Sequence, residues 1–495
     1  MGVLLVVPIV LPLLAAGACA VFGWRFTAWT GAVAAAGVLG AGVALATRVM
    51  SRPRTGLDGF LRADALTAYM LIVIGAVALL AALASPAYLA AERAADHVTD
   101  ADLRRYGVLG QAFVAAMALA VLASSLGVLW IAVEATTVLT AFLVGFRRTR
   151  NATEAAWKYV VICSAGIALA FLGIVLLNFA ARHAHVPASG ALDWASLAGH
   201  AGGLDPGVMR IAVALLVLGF GTKAGLAPMH AWLPDAHSQA PAPVSALMSG
   251  VLLSVAFYAV LRVRVIADAA LGTGFMRTVL LIVALASLLV AAALLLAQRD
   301  YKRLLAYSSI EHMGLLALGT AIGTPLALSA VLLHVLGHGL VKSVAFLASG
   351  FVQQAFGSSR VDAVRGLLAR GPLVGGCLGA ALLALLGFPP FSLFASELGI
   401  FRAGFSAGLG WAAGAALALL AAVLAAVAAR TGRMLLGAPA PSGPGAVAFP
   451  VTVRPAASAA FALLLGLAAC AALGVTAWPL QPLLDHAAAV LGGRP

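Results

Sequence analysis

The sequence is divided into about fourteen apolar runs, each close to the ~20 residues that an α-helix needs to cross a bilayer. Short polar connections separate the runs, and none of the connections is long enough to form a globular domain. The longest are residues 48–62, 85–105, 182–205, 353–370 and 430–454. The pattern predicts an all-α, polytopic fold with a single membrane domain over residues 1–495. The runs begin near residues 3, 27, 63, 107, 126, 158, 208, 242, 276, 304, 326, 373, 404 and 457.

Composition supports this fold class, since 63% of the residues are hydrophobic and only 9% are charged. A soluble domain carries roughly a quarter charged residues. The formal net charge of +13 lies mainly in short connections, without the basic stripe and interleaved aromatics of a nucleic-acid surface. More Lys and Arg residues lie on the face reached after the first run. By the positive-inside rule, this predicts that both termini lie outside the cytoplasm.

The chain lacks the motifs of a resident cofactor or metal. Its four cysteines lie singly in apolar segments without C-x-x-C spacing, which argues against an iron–sulfur cluster or a zinc site. No phosphate-binding loop, dinucleotide-binding fingerprint or hydrolase elbow is found either. We therefore expect any redox centre to belong to a partner protein. The first run, residues 3–21, has no charged leading region and is interpreted as a membrane helix rather than a cleaved signal peptide.

Two runs are interrupted by prolines. The seventh contains GFGTKAGLAPMHAWLPDAHSQAPAP, from Gly219 to Pro243, and the twelfth contains LLGFPPFSLFASE, from Leu385 to Glu397. Proline removes a backbone donor and clashes with the preceding turn, so both helices must kink or unwind. Inside a membrane, the freed backbone groups are tolerated only where protein or water satisfies them.

The spacing of the interruptions predicts an internal repeat. Broken helices at corresponding positions of two halves are typical of inverted-repeat transporters. The two breaks are five runs apart, which predicts inverted five-helix repeats over residues 107–262 and 276–430. Residues 3–86 and 457–478 would then form peripheral helices.

Glu134, Lys223 and Glu397 are ionisable residues within apolar runs. Glu134 falls near mid-depth of the fifth run, Lys223 just before the seventh-run break, and Glu397 after the double proline of the twelfth. A charge near the bilayer centre costs ~2.5–3.5 kcal/mol on insertion scales, so such residues are functional candidates. The alternative is a lone polar residue that reaches a neighbouring helix or the membrane interface.

The eleventh run carries His334, His338 and Lys342 at successive i+4 steps, which places them on one helix face. Such a stripe can conduct protons, ligate a metal or haem, or consist of structural histidines. The adjacent lysine disfavours a cation there. Glu311 and His312 place an acid beside an imidazole in the tenth run.

His230 and His237 flank the tryptophan and proline of the broken seventh run. A proton could enter or leave the membrane interior at this point. The alternative role of these two histidines is to cap unwound backbone at a membrane face.

These residues lie in four stretches that carry a family resemblance: WIAVEATTVLTAFLVGF (130–146), KAGLAPMHAWLPDAHSQAPAPVSALMSG (223–250), RDYKRLLAYSSIEHMG (299–314) and GHGLVKSVAFLASG (337–350). Here the chain resembles the antiporter-like, proton-translocating membrane subunits of respiratory complex I, Mrp-type antiporters and energy-converting hydrogenases. The residues of these stretches look most similar to the component F type of the hydrogenase 4 and formate hydrogenlyase membrane subunits. The resemblance covers about residues 60–430.

The resemblance implies a fourteen-helix fold with two inverted five-helix repeats and broken seventh and twelfth helices. It also implies that Glu134 is the glutamate of the fifth helix and that Lys223 is its lysine partner. Glu397 takes the terminal position on the twelfth helix, where relatives have lysine or glutamate.

The same resemblance places His312, His338 and Lys342 on a central polar axis. One departure is Ser254, which stands where many complex I relatives have a lysine on the eighth helix. Proton transfer there would use the serine with water, or would depend more on His312 and the eleventh helix.

The resulting hypothesis is a non-catalytic, proton-moving subunit of an oxidoreductase in the cell membrane, in which Glu134 and Lys223 form a switchable ion pair. Its partners would be other membrane subunits and a peripheral redox module. One alternative is an Mrp-like cation/proton antiporter or inorganic-carbon uptake subunit that moves sodium or protons without redox chemistry. Another is an electron carrier with haem on His334 or His338.

Overall fold

The chain folds into a bundle of helices with one small β-hairpin. The computed structural model describes residues 2–50, 52–188, 190–437, 453–477 and 479–492. The predicted all-α membrane fold is confirmed. The helices are α1 Gly2–Phe22, α2 Trp24–Thr27, α3 Thr30–Val49, α4 Ala65–Ala94, α5 Asp100–Leu122, α6 Leu126–Val144, α7 Arg150–His183, α8 Trp194–Gly199, α9 Pro206–Lys223, α10 Trp232–Gln239, α11 Ala242–Leu247, α12 Leu253–Leu271, α13 Thr273–Ala297, α14 Tyr301–Ile322, α15 Pro325–Phe356, α16 Leu367–Arg370, α17 Pro372–Leu385, α18 Ser392–Ser406, α19 Gly410–Leu436, α20 Ala457–Val475 and α21 Gln481–Leu491; the hairpin pairs β1 Arg54–Gly56 with β2 Leu61–Ala63.

Among the described residues, 12 helices are long and apolar enough to cross a membrane. One of them joins α11 to α12 through a π-helical turn, Met248–Leu252. Helix α14 has 22 residues but is more polar, and α17 and α18 are the two shorter parts of the interrupted twelfth run. The count of about fourteen spans remains a prediction. Part of the 430–454 connection, residues 438–452, and residue 478 of the peripheral range lie outside the described residues.

Both predicted interruptions occur. Helix α9 ends at Lys223, and the chain then turns through Pro228 before α10 begins at Trp232. Helix α17 ends at Leu385, and Pro389 and Pro390 separate it from α18, which begins at Ser392. In each case the prolines lack the backbone donor that a continuous helix needs.

One predicted connection is wrong. Residues 85–105 are largely helical, because α4 continues through Pro86 to Ala94 and α5 already begins at Asp100. The polar residues in this stretch belong to helix ends. Glu92 near the end of α4 is buried and pairs with Arg147 over 2.6 Å, so the charge that suggested a loop lies inside the protein.

Helix α15 forms the centre of the bundle, and its apolar segment is almost entirely buried. It packs against α4, α11, α14, α17, α18 and α20. The backbones of α15 and the π-helical turn approach closely at two glycines. A Cβ atom added to Gly250 would lie 2.9 Å from the carbonyl oxygen of Gly339, and one added to Gly339 would lie 2.7 Å from that of Gly250. Glycine at both positions permits this contact.

A buried ion pair joins the start of α4 to α12. Arg262 donates from its two terminal nitrogens to the two carboxylate oxygens of Asp64, each over 2.7 Å. Its guanidinium also lies over the ring of Trp194, 3.9 Å from the centroid. Bidentate geometry and a second hydrogen-bonded neighbour, Tyr258, satisfy the charge away from water.

Candidate functional site

The first polar group lies between α6, α7 and α9. Lys223, the last residue of α9, is 0% exposed. Its ammonium donates to the hydroxyl of Thr137 on α6 over 2.8 Å and to the hydroxyl of Tyr159 on α7. Tyr159 is held in turn by Thr140, whose hydroxyl lies 2.5 Å away. Hydroxyl groups therefore surround this buried lysine.

Glu134 lies on the other side of the same threonine. Its carboxylate accepts hydrogen bonds from Thr137 over 3.0 Å and from Ser164 over 3.1 Å, and the residue is half-buried. Within the described residues, Glu134 and Lys223 form no ion pair within 4.0 Å, and Thr137 bridges their side chains. The structure brings the two charges together without contact.

The second polar group surrounds Lys342 on α15, which is also 0% exposed. Its ammonium donates to the carbonyl oxygen of Leu305 over 2.6 Å and to the hydroxyl of Ser308, both on α14. Glu311, one turn further along α14, is buried and lies in electrostatic range of the lysine. This lysine also has neutral hydrogen-bond partners and an acid nearby.

Three histidines form a cluster beside α15, two of them on α15 itself and one on α14. The rings of His334 and His338 are stacked with centroids 6.4 Å apart, which confirms that the i+4 spacing places them on one face. His312 on α14 lies between them, 5.1 Å from each ring centroid. The residue pair predicted on the tenth run therefore joins the stripe predicted on the eleventh.

A chain of hydrogen bonds leaves this cluster toward α18. Nδ1 of His312 lies 3.0 Å from Nε2 of His334, and Nδ1 of His334 lies 2.9 Å from the hydroxyl of Ser396. Ser396 donates its own hydrogen to the carbonyl oxygen of Leu393 over 2.9 Å. The serine must therefore accept from His334, which fixes the tautomer of that ring. In the neutral cluster, Nε2 of His334 then accepts from His312.

Glu397 follows Ser396 on α18 and is half-buried. Its carboxylate packs against Gly387, a residue with a φ of 68° at the break between α17 and α18. A side chain at Gly387 would collide with the carboxylate. Glu311 lies in electrostatic range of Glu397, so the acid of the tenth run and the acid of the twelfth belong to one cluster.

Among the described residues, His312, His334 and Glu397 could hold a metal ion, because ligand atoms of the three lie within 4.8 Å of one another. Two imidazoles and a carboxylate form a common zinc ligand set. One imidazole nitrogen of each histidine is already used in the hydrogen bond between them. A metal bound by these three residues would have to replace one hydrogen bond of His334, because both of its ring nitrogens are hydrogen-bonded.

Eight side chains have buried polar atoms without a hydrogen-bond partner in the described part of the chain, and five of these side chains belong to residues predicted from the sequence. In these five residues the atoms are both ring nitrogens of His237, both of His338, Nε2 of His312, Nδ1 of His230 and the hydroxyl of Ser254. Buried groups of this kind are commonly satisfied by internal water. Their positions indicate a polar route through the apolar core.

The two histidines of the seventh-run interruption differ. His237 on α10 is fully buried and stacks on Phe346 of α15 with centroids 4.8 Å apart. Its ring does not cap the unwound backbone, and it lies in electrostatic range of Lys342. His230 is half-buried beside the break. Of the two, His237 is the one that packs against α15 beside the second polar group.

Several contributing hydroxyl groups were absent from the sequence prediction: Thr137, Tyr159, Ser164, Ser308 and Ser396. The i+3 spacing of Thr137 from Glu134 was a usable signal, since it places both on one helix face. Ser396 is also adjacent to a predicted residue. Tyr159 and Ser164 gave no local signal, because their partners lie on other helices.

Comparisons with known proteins agree with the fold. A family model described as "NADH:quinone oxidoreductase/Mrp antiporter, TM" matches residues 123–425. A "Hydrogenase-4 component F homolog" from Methylacidiphilum infernorum is 38% identical over 350 residues, which are 70% of this chain and 73% of that protein.

Two solved structures share the architecture. One is a chain of the membrane-bound sulfane sulfur reductase, an archaeal respiratory membrane complex, with a TM-score of 0.86 and 24% identity. The match covers 100% of this chain and 98% of the reductase chain. A chain of the Mrp complex from a Dietzia species has a TM-score of 0.85 at 22% identity, covering 99% and 98%. The fold alone therefore does not separate redox-linked complexes from antiporters.

Proposed function

Because the chain belongs to the NADH:quinone oxidoreductase/Mrp antiporter family of membrane subunits, we propose that it translocates protons along its buried Glu, Lys and His residues. The observation that carries the proposal is the pair of buried lysines, Lys223 and Lys342, each of which donates to a hydroxyl group. A buried ammonium without a carboxylate in contact is costly to maintain. A small displacement of Glu134 or Glu311 would therefore change the cost of holding each proton.

The proposed route uses both polar groups. A proton on Lys223 is exchanged with Glu134 through the first group and passes by His237 to Lys342 in the second. From there His312, His334 and His338 transfer it to Glu397, with Ser396 as the last hydrogen-bonded contact. Ser254, whose hydroxyl is buried without a partner among the described residues, supports water-assisted transfer beside this route.

The chemistry of the second group favours protons over sodium. Hard cations bind sets of oxygen ligands. The centre of this route instead contains three imidazoles and a lysine ammonium, which exchange protons through nitrogen.

The chain is a membrane subunit of a multisubunit complex, and its neighbours are other membrane subunits. We propose that a peripheral redox module drives it, since the hydrogenase 4 component F homolog is a relative of high identity and coverage. We also propose that residues 107–262 and 276–430 form the two inverted repeats and that both termini lie outside the cytoplasm of the cell membrane.

The test is proton translocation by the assembled complex in vesicles, with Glu134→Gln and Lys223→Met. Each change removes one titrating group and should lower the rate by about 100-fold, the low end of the contribution of a placed acid or base. The matched control is Glu154→Gln on α7, whose side chain is 58% exposed and pairs with Lys158.

Normal translocation by either variant, in complexes of wild-type composition, would exclude the proposed route. A sodium gradient across the same vesicles tests the alternative function, which is cation/proton antiport. Transport that requires sodium and no electron donor would indicate an antiporter instead.

A further inference from the structure

Thr137 makes a hydrogen bond with each of the two charged groups of the first site. Nζ of Lys223 donates to its Oγ1 over 2.8 Å, and the same hydroxyl donates to Oε2 of Glu134 over 3.0 Å. An ammonium can only donate and a carboxylate can only accept, so the direction of both bonds is fixed. The hydroxyl therefore accepts from the lysine and offers its own hydrogen to the glutamate.

We propose that Thr137 relays the proton between Lys223 and Glu134, an inference that rests on the proton-translocation function above. In one transfer an N–H bond of Lys223 breaks and an O–H bond forms on Thr137, while the original O–H bond of Thr137 breaks and an O–H bond forms on Glu134. The electron pair of the broken N–H bond stays on nitrogen, and a carboxylate lone pair becomes the new bond.

The products are a neutral amine and a carboxylic acid, with the threonine hydroxyl restored. Its hydrogen then points toward Nζ of Lys223, which accepts it through the new lone pair. The reverse transfer regenerates the ion pair. No oxidant or reductant is needed, and two opposite charges disappear in one step.

Neighbouring groups hold both ends of the bridge in place. Tyr159 accepts a second hydrogen bond from Lys223, and Ser164 donates to the other carboxylate oxygen of Glu134. Thr137 is 1% exposed, and in the described part of the chain it alone is hydrogen-bonded to both charged residues. Direct exchange between the lysine and the glutamate is blocked by their separation beyond 4.0 Å.

The experiment compares Thr137→Val with Thr137→Ser in the intact complex. Valine keeps the shape and removes the hydroxyl, whereas serine keeps the hydroxyl. Proton translocation should fall by about 100-fold in the valine variant and stay within about threefold of wild type in the serine variant. The matched control is Thr136→Val, since within the described residues the buried hydroxyl of Thr136 hydrogen-bonds only to the carbonyl oxygen of Val133 on its own helix.

A valine variant that translocates at the wild-type rate overturns the relay, while loss in Glu134→Gln and Lys223→Met would leave the proposed function standing. Normal transport in those two variants would instead remove the function itself. If the valine variant fails to assemble, infrared spectra of the unmutated complex test the relay instead. The relay requires a carboxylic-acid band during turnover that Glu134→Gln abolishes, and a Glu134 that stays ionised throughout contradicts it.

Discussion

Nδ1 of His312 and Nε2 of His334 lie 3.0 Å apart, and this contact joins the centres of α14 and α15. Ser396 extends it to α18, because its hydroxyl accepts from the other nitrogen of His334. Both histidine tautomers are therefore set by a serine that itself donates to backbone. When a proton passes along these hydrogen bonds, donor and acceptor change places in each of them. A second proton can follow only after the hydroxyl group of Ser396 has rotated back.

Substitution of Ser396 should therefore affect transport more than stability. We expect Ser396→Ala to lower proton translocation by about tenfold, because His334 can then adopt either tautomer, and Ser396→Thr to restore most of the rate. Proton uptake by vesicles measures both. The control is Ser406→Ala on the same helix, whose hydroxyl, in the part of the chain that the structure describes, donates only to the carbonyl oxygen of Ala403. Equal losses in the two alanine variants would assign Ser396 a purely structural role.

His338 and His334 should respond differently to leucine. Neither ring nitrogen of His338 has a partner among the described residues, so His338→Leu should change the unfolding free energy by less than about 1 kcal/mol. His334→Leu leaves His312 and Ser396 without their shared partner and should cost about 1–3 kcal/mol. Both variants should lose proton transport. Thermal unfolding of the purified complex checks the difference, and a strongly destabilised His338→Leu protein would show that the ring has a partner.

Gly387 positions the carboxylate of Glu397, and we expect Gly387→Ala to displace it. The residue has a φ of 68°, and a Cβ atom there collides with the carboxylate. Proton translocation should fall by about tenfold although no titrating group is changed. Gly376→Ala on α17 is the matched control, since an added Cβ meets no atom within 4 Å. Transport that is unaffected by Gly387→Ala would place Glu397 off the route.

The buried pair of Arg262 and Asp64 should be the most sensitive site for stability. Arg262→Met leaves the carboxylate of Asp64 buried without its counter-ion, which should cost about 3–5 kcal/mol. Unfolding of the purified protein by denaturant measures the loss. Arg277→Met, at an exposed position of α13, should change stability by less than about 0.5 kcal/mol. The double variant with Asp64→Asn should recover part of the loss, and a double variant no better than Arg262→Met contradicts this account.

The features that sequence predicted well are local ones. Proline clusters act on their own helix, so the interruptions after Lys223 and Leu385 agreed with the structure. Most span starts agreed within a few residues, but α5 and α7 begin at Asp100 and Arg150, about two turns before the predicted starts near 107 and 158.

The connection at 85–105 was predicted wrongly because polar residues mark where the chain leaves the membrane, whereas the helix itself can continue beyond that point. Helix α4 continues to Ala94 around a buried Glu92.

The relationships between helices could not be predicted in this way. Glu134 and Lys223 were predicted as a pair, but the hydroxyl that separates them depends on how α6 and α9 pack. His334 and Ser396 are 62 residues apart in sequence, and nothing in either segment specifies their contact. The titratable residues of the proposed route could be identified in the sequence. The directions of their hydrogen bonds could not, because they depend on how the helices pack.

The glycine contact between the π-helical turn and α15 limits how this protein can work. Because the backbones approach closely at Gly250 and Gly339, sliding or tilting of one helix past the other would change this contact. Transport by rocking one half against the other would have to break this contact in every cycle. Turning a threonine, a serine or an imidazole leaves it intact, so the frame can stay still while only side-chain torsions and protons move.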